Sequence, residues 1–308
     1  MILKFTVPDG PDRKVYTVLR RELGVSAGMV RRLKLADGIA VNGESAFTDR
    51  LMHPGDVLTA DVSSCEEPSD IVPERGALDI IYEDEGLIAV NKAPGVIVHP
   101  THSRYTGTLA NFAAGYMLDK YGNASVHPVN RLDRDTSGIV LFAKNSYMMA
   151  AASEALREGS AVKRYTAIVL GKMPEESGVI DRPIKRCGEG ELKRTVSPDG
   201  KTAITRYKTL AVYEEAEYSL SLLSLELETG RTHQIRVHCV SCGCPLLGDC
   251  LYHTAASLAV SEKLEITRQL LHAEYLTFKN PVGGERLELY APVMRGDMQK
   301  ILSKFDVR

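Results

Sequence analysis

The sequence predicts an α+β fold in two parts, a small N-terminal module and a larger strand-rich domain. Three observations carry this. After residue 77 strand patterns outnumber helical ones and do not alternate with them regularly, which argues against a doubly wound α/β sheet. Residues 64–76 are polar, contain Pro68 and Pro73 and lack apolar periodicity, as a linker does. The 308 residues suffice for one large and one small domain, each with its own core. The expected division is 1–63, a linker at 64–76, and 77–308.

In the module, helical patterns at 15–23 and 27–34 precede Ile39-Ala-Val-Asn-Gly43, a strand running into an Asn-Gly hairpin turn. A Pro-Gly-Asp turn at 54–56 leads into a strand at 57–62. In the larger domain, short apolar strands are expected at 80–82 and 87–91. A helix is expected at 108–121, where Leu109, Phe112, Tyr116 and Met117 fall near helical spacing. An Ala-rich helix at 147–157 stops before Gly159. Strand patterns follow at 163–170, 203–213, 218–228, 234–240, 273–279 and 286–291, and a helix at 294–305 closes the chain.

Hydrophobic content of 44% and charged content of 25% are ordinary globular values, so composition alone names no function. No apolar run approaches the roughly 18 residues of a membrane span. The first residues, Met1-Ile-Leu-Lys-Phe-Thr-Val-Pro8, lack the layout of a signal peptide, and six cysteines without secretory features suggest reduced thiols. The expectation is a soluble cytoplasmic protein, with no membrane and no obligatory protein partner. Net charge is −2, but cations cluster at Arg20, Arg21, Arg31, Arg32 and Lys34, and at Lys185, Arg186, Lys193 and Arg194 in a Gly-containing loop. Local clusters govern phosphate contacts more than the total does, although either cluster also reads as a solvated face.

The most informative run is Arg131-Leu-Asp-Arg-Asp-Thr-Ser-Gly138, followed by the apolar strand segment 139–143. It sets Asp133 and Asp135 among Arg131 and Arg134. Carboxylates beside arginines stay ionised at neutral pH, and an ionised carboxylate on a tight loop at a core strand is a candidate nucleophile. A surface loop with two ion pairs is the alternative, and residues alone do not choose between Asp133 and Asp135.

Together with Leu227-Glu-Thr-Gly-Arg-Thr-His-Gln-Ile-Arg-Val-His238, this run closely resembles the RluA-type family of RNA pseudouridine synthases. Asn91-Lys-Ala-Pro-Gly-Val-Ile-Val-His-Pro100, Lys163-Arg-Tyr-Thr-Ala-Ile-Val-Leu-Gly171 and Leu271-His-Ala-Glu-Tyr-Leu-Thr-Phe-Lys-Asn-Pro281 fit the same family in order. Agreement of several long motifs across roughly residues 79–293 is far more specific than one short pattern. The resemblance implies a catalytic domain with a largely antiparallel central sheet and conversion of specific uridines in structured RNA, ribosomal or transfer, to pseudouridine. That reaction breaks and remakes a bond to the base without redox change or energy input, so no cofactor and no metal is expected.

The resemblance also assigns roles. Asp133 is implied as the catalytic carboxylate, Arg236 as the arginine that pairs with it, and Tyr165 as the tyrosine that stacks near the base and takes part in proton transfer. Whether the carboxylate attacks the ribose or assists elimination to a glycal is left open. Arg131 is implied to enter the RNA as the target nucleotide leaves its stack. Arg134, Arg231 and His233 fit as further RNA contacts. Asn130 stands where the family commonly has His; it keeps hydrogen-bonding capacity but not the imidazolium charge, which puts that RNA contact in doubt. His99 and His102, on the Pro-Gly loop, read as structural.

Residues 1–63 resemble the alpha-L RNA-binding module through Gly24-Val-Ser-Ala27, Arg31-Arg32, Val41-Asn-Gly43 and Pro54-Gly-Asp56. On that resemblance the second helix presents Arg31, Arg32 and Lys34 to phosphates. Cys239, Cys242, Cys244 and Cys250, with His238 and His253 adjacent, suggest a zinc site at first sight. The Cys-x-Cys gap fits such a site poorly, and packing explains these thiols better. Two rival functions follow, a non-catalytic RNA-binding or chaperone protein on the same fold and a zinc-dependent protein resting on the cysteines alone.

Overall fold

The structure is a computed structural model that describes residues 1–66, 70–101, 104–294 and 296–305. Residues 1–62 fold around their own cluster of buried side chains, including Val15, Leu19, Leu33, Val41, Met52 and Leu58. Four antiparallel strands run in the order Ile2–Thr6, Val57–Asp61, Ile39–Val41, Glu44–Ser45. The Asn-Gly turn forms as expected, with Asn42 and Gly43 both at positive φ. The first helical pattern is a single α-turn, Val15–Thr17, that widens into a π-turn over Val18–Glu22. The second is the helix Ala27–Leu35, whose first turn is capped by the Ser26 hydroxyl.

The larger unit is built on a ten-stranded sheet. Its order is Ser177–Asp181, Ile204–Glu214, Ser219–Leu227, Val162–Leu170, Leu271–Lys279, Ser137–Ala143, Leu87–Lys92, Ile80–Glu83, with Arg286–Tyr290 and His127–Pro128 pairing off this path. Every pairing is antiparallel except that of Ser137–Ala143 with Leu271–Lys279. The strands Leu87–Lys92 and Ser137–Ala143 are buried throughout because helices cover both faces. Leu87, Ala89, Ile139 and Leu141 pack against the helix Ser146–Ala155. Ile88, Val90, Val140 and Phe142 pack against Leu109–Tyr121. That helix opens on a capping box between Thr108 and Asn111 and ends at Gly122 in the left-handed region.

The segment expected as a linker is held against the larger unit. Glu66 accepts hydrogen bonds from the Ser146 amide (2.9 and 3.1 Å) and lies 3.0 Å from His127. Ile71 is buried against Leu109–Tyr121, and Asn111 donates to the Val72 carbonyl at 2.8 Å. The polar composition hid this because much of the docking is by hydrogen bonds and ion contacts, which leave no apolar periodicity. The N-terminal unit also docks directly: Tyr147 donates to the Leu23 carbonyl at 2.8 Å and packs into the N-terminal core.

One expectation is corrected. Residues 234–240 form the helix Gln234–Ser241, not a strand. Alternation of Ile235, Val237 and Cys239 with Gln234, Arg236 and His238 suggested one wet face, yet all six are buried. Their polar side chains face internal partners, so the period of two carried no information about solvent. The second basic cluster lies on a hairpin, Ile184–Arg186 paired with Arg194–Val196, whose connecting loop holds Gly188, Gly190 and Lys193.

Candidate active site

Asp133 lies on the turn leading into Ser137–Ala143, and three consecutive residues after it are each tied down. The Arg134 carbonyl accepts from the Lys92 ammonium at 2.7 Å and from the Gly95 amide at 3.0 Å. The Asp135 carbonyl accepts from Arg268 Nη1 at 3.1 Å, and the Thr136 hydroxyl from Gln269 Nε2 at 3.3 Å. Lys92 is fully buried and donates also to the carbonyls of Ala93 and Val96. Burial pushes its ammonium down to about 7, with the charges of Asp135 and Asp133 acting to raise it and that of Arg268 to lower it further. Beneath the turn, Gly138 approaches the neighbouring strand so closely that a Cβ would stand 2.2 Å from the Ala273 carbonyl oxygen.

Arg236 reaches the turn from the helix Gln234–Ser241. Its Nη1 donates to Asp133 Oδ2 at 2.9 Å, while Nε and Nη2 donate to the two oxygens of Asp249 at 2.7 and 2.8 Å. Arg236 is 6% exposed and Asp249 is fully buried, whereas Asp133 keeps 27% of its side-chain surface open. Burial opposes both charges of the inner pair. Mutual attraction outweighs it, holding the Asp249 carboxyl below the usual range and the Arg236 guanidinium above its own. Asp133 Oδ1 has no hydrogen-bond partner among the described residues, so the braced carboxylate presents one oxygen outward.

His233 lies beside this pair, its Nε2 3.8 Å from Asp133 Oδ2. It occupies the left-handed region at φ 58°, a conformation that costs a non-glycine residue about 1–3 kcal/mol and that turns the chain into the helix. The Gln234 side chain secures this turn by accepting from Thr229 and the Arg231 amide and donating to the Ile204 carbonyl. Burial lowers the His233 imidazole, with Asp133 pulling it up and Arg236 pushing it down, so the ring is neutral at neutral pH. Its Nδ1 lies 2.8 Å from the Tyr252 hydroxyl, which accepts from the Arg194 amide.

Tyr165 lies on Val162–Leu170 at a β-bulge, where Glu274 on the partner strand is the extra residue between Arg164↔Tyr275 and Tyr165↔Ala273. Bulges re-aim side chains near functional sites. Burial pushes the Tyr165 hydroxyl up to about 12, and the charge of Asp133 adds to the effect. The phenol therefore keeps its proton at neutral pH.

A model of the RNA pseudouridylate synthase family matches residues 86–241, the span that contains this site. An uncharacterised RNA pseudouridine synthase of Bacillus subtilis, YhcT, is 38% identical over 278 residues, covering 90% of this chain and 89% of its own. The chain belongs to the RluA-type family of RNA pseudouridine synthases. The ribosomal large subunit pseudouridine synthase D of Zymomonas mobilis is 37% identical over 252 residues, 79% of this chain and 77% of that one. Among solved structures, human RNA pseudouridylate synthase domain containing 4 aligns with a TM-score of 0.58 at 25% identity, over 73% of this chain and 92% of its own. This synthase is thus an isomerase of RNA uridines with a mostly antiparallel central sheet.

The structure brings Asp133, Tyr165, Arg236 and His233 to one place, but not every expected RNA contact. Both ends of the Asn130 amide bond the strand Ser137–Ala143: Oδ1 accepts from the Leu141 amide at 2.7 Å and Nδ2 donates to the Ile139 carbonyl at 3.1 Å. These two bonds set the turn. Asp135 pairs with Arg134 at 2.9 Å, which leaves Arg131 exposed and without an ion pair among the described residues. Arg231 is exposed and anchored through Nε to the Thr202 carbonyl at 2.9 Å. Arg31 and Lys34 are exposed, and Arg32, half-buried on the same helix, sets Nη2 3.5 Å from the Ser146 hydroxyl of the larger unit. His99 is exposed with Nδ1 3.0 Å from the Pro100 carbonyl, and His102 lies outside the described residues.

Cys239 and Cys244 are core residues, Cys250 is exposed, and no metal-holding group of side chains assembles among the described residues. No helix among those residues is long and apolar enough to cross a membrane. Sequence reasoning missed Asp249, Tyr252, Lys92 and Arg268. A signal existed for the first: an arginine in an apolar setting requires a buried counter-ion, and Gly248-Asp249 follows closely.

Proposed function

We propose that Asp133 is the carboxylate that acts on the target uridine. The observation that carries this reading is its asymmetry, with one oxygen held by a buried arginine and the other facing the solvent side. Arg236 keeps the carboxylate in one orientation through a charge-assisted bond. Tyr165 lends a ring face to the displaced base and, as a protonated phenol, a proton donor. Arg131, free of ion pairs among the described residues, fills the space the flipped nucleotide vacates. Arg134, Arg231 and His233 serve as contacts around that nucleotide.

The substrate we propose is structured RNA, ribosomal or transfer RNA, met in the cytoplasm. The similarity to a ribosomal large subunit pseudouridine synthase of Zymomonas mobilis favours ribosomal RNA. Residues 1–63 are proposed as an RNA-binding module, with Arg31 and Lys34 as its phosphate contacts. The exposure of both side chains on one helix supports this. The test replaces Asp133 with Asn and maps pseudouridine site by site in RNA from cells carrying either version. Loss of specific sites with RNA affinity kept is expected. Unchanged modification removes Asp133 from the reaction.

A further inference from the structure

Beside the active site lies a second concavity, a cleft of about 440 Å³ between the hairpin Ile184–Arg186/Arg194–Val196, the turn at 199–201 and residues 230–232. Five cations line it, Lys185, Arg186, Arg194, Lys201 and Arg231, against one carboxylate, Asp199. Asp199 is exposed and reaches Lys185 at 3.5 Å. In a chain of net charge −2, such a concentration of one sign is a local field, and a field in a concave wall draws in the opposite charge.

The cleft is built rather than incidental. Arg194 Nη1 donates to the carbonyls of Glu191 and Leu192 and so ties the hairpin tip. Lys201 pairs with Ile184 through backbone bonds in both directions at 2.9 Å, joining the turn to the hairpin. At Gly200 a Cβ would stand 2.6 Å from Ile184 backbone atoms, so the two walls meet closely. Arg231 is fixed by its Thr202 contact, while Arg186 and Lys201 are exposed with no side-chain partner among the described residues.

The cleft is also attached to the catalytic group. Thr232 on its wall adjoins His233, and the Arg194 amide holds the Tyr252 hydroxyl that meets His233 Nδ1. We propose that the cleft is a phosphate-binding site for the RNA strand that flanks the target uridine, with Arg186, Lys201 and Arg231 as the contacting side chains. This deepens the proposed function, on which it depends for the passage of the strand across Asp133.

The test uses the full chain and a fluorescent twelve-residue oligouridylate, titrated across a range of salt concentrations. Each phosphate contact on a single strand contributes about 0.7 to the slope of log K against log salt, so R186Q/K201Q is expected to flatten it by about 1.4. Affinity at low salt is expected to fall by about 10-fold. The paired control K263Q/K300Q carries the same charge change outside the cleft and is expected to match wild type. An unchanged slope in R186Q/K201Q overturns the proposal. Equal flattening in the control also overturns it, since net charge and not the cleft would then be read. If R186Q/K201Q melts early, R231Q alone is used, with half the change in slope expected and an unchanged slope again overturning the proposal. Site-by-site pseudouridine mapping of cellular RNA with D133N tests the catalytic reading separately, because it reads modification and not the salt slope.

Discussion

Asp249 grips the far edge of the Arg236 guanidinium with both oxygens, and so fixes the one nitrogen that Arg236 extends to Asp133. Asp249 is itself held by the amides of Leu251 and Tyr252, both at 2.9 Å. The Tyr252 ring lies under the guanidinium, 5.0 Å from its centre. The outward carboxylate is thus aimed from the interior, by a second carboxylate that no RNA can reach.

Replacing Asp249 with Ala strands a buried guanidinium, and breaking such a pair from one side costs about 3–5 kcal/mol. Urea denaturation is expected to show a loss of that size, together with loss of pseudouridine formation. A variant as stable as wild type would mean that Arg236 finds compensation elsewhere.

Arg268 joins three parts of the site. It donates to the Asp135 carbonyl, pairs with Asp297 at 2.6 Å, and its own carbonyl packs where a Cβ on Gly248 would collide at 2.0 Å. R268M is expected to slow turnover by about 10- to 100-fold through misplacement of the carboxylate, with RNA affinity kept. Added methylguanidinium is expected to restore part of the rate. Weakened RNA binding at unchanged turnover would place Arg268 in recognition instead.

Lys92 makes stability depend on pH in a definite direction. Its folded value, about 7, lies below the unfolded value near 10.5, so between these limits the unfolded chain binds more protons. The cost of burying the charge is fully present below about pH 7, and stability rises relative to K92M as pH climbs from 7 toward 10.5. Urea midpoints of both proteins across that range check the sign, and a flat difference contradicts it.

Arg31 and Lys34 differ from Arg32 in what they face. R31Q/K34Q is expected to weaken RNA binding and flatten its salt dependence by about 1.4 for a single-stranded probe, with the melting temperature unchanged. R32Q is expected to lower the melting temperature instead, because its contact with Ser146 joins the two units. The opposite pattern would reverse these assignments.

Much of the fold was legible because its signals were local. The cap at Thr108, the left-handed stop at Gly122 and the Asn42-Gly43 turn each depend on a few neighbouring residues. The strand error at 234–240 arose where solvent no longer sorts side chains, and where three polar groups, Gln234, Arg236 and His238, all face internal partners. Asp133 and Arg236 were found through motifs. Tyr252 and Arg268 act from over a hundred residues beyond Asp133 and carry no local pattern, so only the tertiary structure shows what they hold, whereas Asp249 was signalled as the counter-ion that a buried Arg236 requires.

The docking of Tyr147 onto Leu23, with Glu66 fastened to Ser146 and His127, removes the slack that a tether would give. Arg31 and Lys34 therefore stand at a set span from Asp133, as the jaws of a caliper do. With Arg31 and Lys34 as the proposed phosphate contacts, an RNA whose folded outline does not fill that gauge is expected to be refused, whatever uridines it contains.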